Sequence, residues 1–233
     1  MFLCAGSLRT DKLTIGEGNG EGQCPEDRKY FPTMKVAYWY FRLNGFLTME
    51  NFVLHPDRSG SQRTDADLYG VRFPCRKELE MLDDTYFREK NKKPLFMLVE
   101  ITKGECKLNG PWTNKDKKNV EYVLEAIGAF PPKALNRIAD ALYKVSFYED
   151  EVLEVRLVAV GERRNEEYLK AQPHLLQWIL SDMLQFIYQR FDHYERAKKD
   201  HSQWDQCGQN LWAEFKEKNG PETFAKSILG KLT

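Results

Sequence analysis

Two carboxylates on neighbouring strand-like runs define the chemistry open to this chain. Residues 64–73 (TDADLYGVRF) pass from polar to alternating apolar positions and carry Asp65 and Asp67. Residues 95–104 (LFMLVEITKG) form an apolar run that reads as a buried central strand, with Glu100 near its C-terminal end. A charge there is costly to bury unless a cation or a metal meets it. Carboxylates delivered from adjacent strands are the hard oxygen ligands that Mg²⁺ or Mn²⁺ takes. Alternation along a strand puts Glu100 and Thr102 on one face, with Ile101 and Lys103 on the other. The same residues admit a plainer role, in which Asp65 and Asp67 cap a turn and Glu100 pairs with an arginine such as Arg63 or Arg72.

Several cations flank this pair in sequence: Arg63, Lys103, Lys107, Lys115, Lys117 and Lys118. Their chemistry suits phosphate contacts, although lysines at a solvated helix start are commonplace. Trp112 has a ring that can stack on a base or anchor a turn in the core, and the core role is favoured. Cys106 has no histidine nearby to activate it, so it makes a poor nucleophile. The glycine-rich run at 16–22 lacks the Lys-Ser/Thr ending and the preceding strand of a phosphate loop.

The elements that must position these groups follow from periodicity. Met34, Ala37, Tyr38 and Phe41, with Val36, Trp39, Tyr40 and Leu43, predict a largely buried helix over 30–44, closed by Asn44-Gly45. Strands are expected at 46–55, 67–73, 95–103 and 152–161, the first two as an antiparallel hairpin. Residues 75–92 read as a charged, helix-leaning insert. Val120, Val123, Leu124 and Ile127 predict one helix, and Leu135, Ile138, Ala139 and Leu142 another after Pro131-Pro132. Leu175, Leu176, Ile179, Leu180, Met183, Leu184, Ile187 and Phe191 predict a long helix over 173–197, suited to cover the sheet or to meet a partner or second copy. Shorter helices follow at 204–218 and after Gly220. The order implies an α/β fold with a mixed sheet.

The totals exclude several classes. The 233 residues suffice for one core with an appended helical piece. Lys and Arg balance Asp and Glu at 35 each, so any nucleic-acid contact works through local patches. The five cysteines are scattered, without Cys-x-x-Cys or zinc spacing, which argues for neither a disulfide framework nor a zinc site. No apolar run is long enough to span a bilayer, and the cytoplasm is the default compartment.

An acidic residue on one strand, followed after a hairpin by Glu-x-Lys on its neighbour, resembles the PD-(D/E)xK nuclease superfamily over residues 30–161. The wider set Asn44-Gly45-Phe46, Thr64-Asp65-Ala66-Asp67, Gly70 to Pro74 and Asn109-Gly110-Pro111-Trp112 is also similar to bacterial proteins carrying that core. The resemblance implies a restriction endonuclease-like core: a mixed central sheet flanked by helices, over 29–165. A flexible N-terminal extension (1–28) and a helical C-terminal extension (166–233) would lie outside it. It implies a Mg²⁺- or Mn²⁺-dependent endonuclease acting on DNA, with RNA the less favoured substrate. Asp67 and Glu100 would be the metal ligands and Asp65 an auxiliary carboxylate, with Arg63, Lys107, Lys115 and Lys118 on the nucleic acid. Thr102 stands where the family keeps its lysine. Lys103 or Lys107 is then the substitute, or the scaffold has lost hydrolysis and serves as a nucleic-acid- or protein-binding module.

Overall fold

A computed structural model describes residue 29 and residues 31–54, 64–76, 82–89, 92–198 and 204–233. The expected N-terminal extension therefore lies outside the described residues, as does part of the charged insert. The chain opens with helix α1 (Thr33–Leu43), then strands β1 (Leu47–Leu54) and β2 (Thr64–Arg72), the short helix α2 (Thr85–Glu89) and strand β3 (Leu95–Ile101). Helices α3 (Gly110–Thr113), α4 (Asn119–Ile127) and α5 (Pro132–Val145) precede strands β4 (Phe147–Glu149) and β5 (Glu154–Gly161). Helix α6 (Glu166–Ala171), strand β6 (Leu176–Ile179) and helices α7 (Leu180–His193), α8 (Gln206–Glu217) and α9 (Pro221–Leu229) complete it.

The sheet is mixed. β1, β2 and β3 form an antiparallel meander, and β5 lies parallel to β3. The far edge of β5 is shared by two short strands, β4 antiparallel along residues 154–156 and β6 parallel along 158–161. Helices cover both faces. Leu95, Met97 and Val99 of β3 pack with α1, α7 and α9, while Phe96 and Leu98 pack with α4 and α5. That double burial is why β3 reads as an unbroken apolar run.

Three expectations are corrected. The long helix expected over 173–197 begins only at Leu180, because residues 176–179 pair with β5 and satisfy backbone groups along its open edge. A short apolar run fits strand and helix equally well, and here sheet pairing decides. The apolar face of α7 (Leu180, Met183, Leu184, Ile187, Phe191) is buried inside the core against α1 and α9, covering the sheet. Within the charged insert, the described residues are helical only over Thr85–Glu89. β3 stops at Ile101, two residues short of the expected end.

The hairpin has an internal irregularity that matters for the site. Ala66 and Phe52 pack on the α4–α5 face, yet Leu68, only two residues from Ala66, packs on the α1 face. Strict alternation would put Ala66 and Leu68 together. The ladder turns over between them, at Asp67 and at Asn51, which adopts the left-handed region at φ 48°.

Candidate functional site

Asp67 lies at two breaks at once: the turnover of the β1–β2 ladder and the place where β2 parts from β3. The last β2–β3 pair is Leu68 with Val99, so one further step sets Asp67 opposite Glu100. The ladder does not continue through main-chain bonds there. Asp67 Oδ2 instead accepts the backbone N–H of Ile101 at 2.7 Å.

Beyond Ile101 the chain leaves strand geometry and is tied to the end of β5. The Thr102 N–H donates to Val160 O at 2.9 Å, and its hydroxyl donates to Glu105 O at 2.8 Å. Gly104 turns the chain at φ 85°, a conformation that costs glycine little. Gly104 O then accepts the N–H groups of Glu162 and Arg163, and the Cys106 N–H donates to Arg163 O at 2.8 Å. Gly161 permits this approach: a Cβ there would sit 2.8 Å from Gly104 O and 2.9 Å from Cys106 N.

Because alternation stops at Ile101, Thr102 and Lys103 do not divide between opposite faces. Both line one open cleft of about 250 Å³ with Asp67, beside Pro32, Thr33 and Met34 at the start of α1. Lys103 is exposed and lines the same cleft as the aspartate. The Thr102 hydroxyl is used internally.

Glu100 is anchored differently. It is 8% exposed, its Oε1 accepts from Asn109 Nδ2 at 2.6 Å, and its Oε2 accepts from Trp112 Nε1 at 2.9 Å. Two donors, one on each oxygen, fix the plane of the carboxylate. Trp112, 2% exposed, is thus a core residue and a carboxylate anchor, which removes it as a base-stacking platform. The arginine expected as one alternative partner of Glu100, Arg72, donates instead to Asn44 O and pairs with Asp83 at 2.6 Å.

The remaining predicted residues scatter. Asp65 pairs through its backbone with Val53, its side chain lying outside the described residues, as does Arg63 altogether. Lys107 is exposed. Lys115 is paired with Asp140 at 2.6 Å, which raises its pKa. Lys118 is exposed in the left-handed region at φ 53°, at the start of α4. Cys106 is buried, which pushes its thiol up to about 11 and makes it inert as a nucleophile.

The donor set suits a hard divalent cation in kind. Mg²⁺ typically takes one or two carboxylates, keeps several waters and completes its shell with substrate phosphate, so it needs no closed protein cage. Among the described residues no group of three His, Cys, Asp or Glu side chains is arranged to hold a metal ion. No described helix is long and apolar enough to cross a membrane.

Sequence reasoning missed Asn109 and Trp112 as partners of Glu100. The only available signal was that a buried carboxylate needs donors; Thr102, Lys103 and Lys107 are nearer in sequence, so nothing singled these two out. Comparison of the chain with protein-family models, with curated proteins and with solved structures gives no match.

Proposed function

We propose that this chain is a restriction endonuclease-like, Mg²⁺- or Mn²⁺-dependent phosphodiesterase acting on DNA, with RNA the less favoured substrate. The observation that carries the reading is that β2 and β3 part just beyond the Leu68–Val99 pair, which leaves Asp67 and Glu100 as the next residues at the same end of adjoining strands. Its frame is α1, the antiparallel strands β1, β2 and β3 with α2 inserted before β3, then α3 to α5, the short β4, and β5 parallel to β3; the PD-(D/E)xK resemblance covers a leading helix, three central strands and the helices that follow. Asp67 and Glu100 would hold the ion and Asp65 would assist. A bound ion would polarise the scissile phosphate and lower the pKa of its water. Lys103, in the same cleft as Asp67, takes the role of the family lysine that Thr102 replaces, offsetting charge in the transition state. Lys107, Lys118 and Arg63 would contact flanking phosphates, with Lys115 contributing less because Asp140 already pairs with it.

Purified protein incubated with supercoiled, linear and single-stranded DNA, with Mg²⁺, Mn²⁺ or chelator, tests this directly. Metal-dependent cleavage lost in the Asp67→Ala/Glu100→Ala double variant is expected; cleavage that survives it refutes the assignment.

A second reading, a nuclease-like scaffold that binds nucleic acid or protein without hydrolysis, draws on the Thr102 hydroxyl being spent on Glu105 O where a cation is expected. Thr102→Lys separates the two. Activity that appears only in that variant favours the binding module, and wild-type activity that depends on Lys103 favours the enzyme.

A further inference from the structure

We infer that Asn109 and Trp112 are positioning residues for Glu100, holding its carboxylate in the orientation that a divalent cation requires. This rests on the metal-site reading above and extends it to two residues outside the carboxylate set. Both donate to the carboxylate, one to each oxygen, at 2.6 and 2.9 Å. They come from one short segment, the turn into α3, where Pro111 stands at the helix start and restricts the backbone between them. Trp112 is buried at 2% exposure, so its indole cannot swing away, and Glu100 is itself on a central strand paired on the β5 side through Ala159. A carboxylate clamped at both oxygens loses little rotamer entropy when it binds a cation. Partners that fix a ligand this way typically contribute 10- to 100-fold to metal affinity.

The indole N–H is a reporter built into the site. In the ¹⁵N-labelled full chain, each tryptophan gives one indole signal, and the one that vanishes in Trp112→Phe belongs to Trp112. Titration with Mg²⁺ alone is expected to shift that signal, with the affinity measured in parallel by calorimetry. Trp112→Phe and Asn109→Ala are each expected to weaken Mg²⁺ binding about tenfold or more. The remaining indole signals should stay in place in both, which a general loss of structure would not allow. If either variant fails to fold, the wild-type indole shift and the other variant decide. Mg²⁺ binding that depends on Asp67 but leaves the Trp112 signal and both variants' affinities unchanged overturns the inference alone. Absence of Mg²⁺ binding to the wild-type chain overturns it together with the metal-site reading.

Discussion

Asp67 accepts the backbone N–H of Ile101 at 2.7 Å, so the residue proposed to hold a cation also closes the end of the β2–β3 ladder. The two roles separate by substitution. Asp67→Asn keeps an oxygen for Ile101 and should retain stability within about 0.5 kcal/mol, while Asp67→Ala should lose about 1–2 kcal/mol. Both should abolish metal-dependent cleavage. Urea unfolding beside a cleavage assay checks this; an active Asp67→Asn would remove Asp67 from the metal site.

Lys103 should be the cation that matters in the cleft. Lys103→Ala is expected to lower kcat/KM for cleavage by roughly 10²–10³, the usual loss when one preorganised charge-stabilising group is removed. Lys115→Ala, whose ammonium is already engaged by Asp140, should change it only a few-fold. Steady-state kinetics on one DNA substrate at fixed salt distinguishes them. A large loss at Lys107 and none at Lys103 would reassign the role.

Gly161→Ala should be severe for a residue with no functional group. Its Cβ would meet backbone atoms of the 104–106 turn, which cannot rotate aside as a side chain can. A loss of about 3 kcal/mol is expected, with reduced activity because Lys103 sits on the displaced turn. Thermal unfolding measures the first effect and cleavage the second.

Glu214 makes stability depend on acid. Burial would raise its pKa, but hydrogen bonds from Ser227, Lys231 and Lys29 outweigh that and bring it from 4.5 to about 2. A carboxyl depressed on folding contributes stability above its unfolded pKa and loses it as pH falls. Stability should therefore decline from about pH 4.5 towards pH 2 through this group. Glu214→Gln should flatten that part of the profile and cost ~2 kcal/mol at neutral pH. Denaturant midpoints across the acid range test it, and an unchanged slope would exclude Glu214 as its source.

Much of this frame is legible in residue order, and the gaps have physical causes. α1, the hairpin and β3 carry clear periodicities because each buries a defined face. β6 escaped because Leu175, Leu176, Ile179 and Leu180 satisfy helical spacing as well as a strand, and only the open edge of β5 decides between them. The placement of Lys103 escaped because alternation was extended past the last strand residue, Ile101, into a turn set by Gly104 and Gly161. The anchoring of Glu100 escaped because its partners lie at the cap and inside the four-residue helix α3, too short for periodicity to mark which way a side chain points.

Phe31 and Leu232 form an isolated parallel bridge, and the N–H of Thr33 donates to Thr233 O across 200 residues of sequence. The helix that borders the cleft is thus clasped by residues about 200 positions further along the chain. On the ribosome, α1 emerges before them with its aromatic face uncovered and waits for α7, α9 and residues 232–233 before it can be sealed. Such late, long-range closure leaves a window in which a chaperone or a self-associating neighbour meets that face first. Slowing translation of the final helices, or removing residues 231–233, should therefore show up first as lower soluble yield, with the activity of the molecules that do fold affected less.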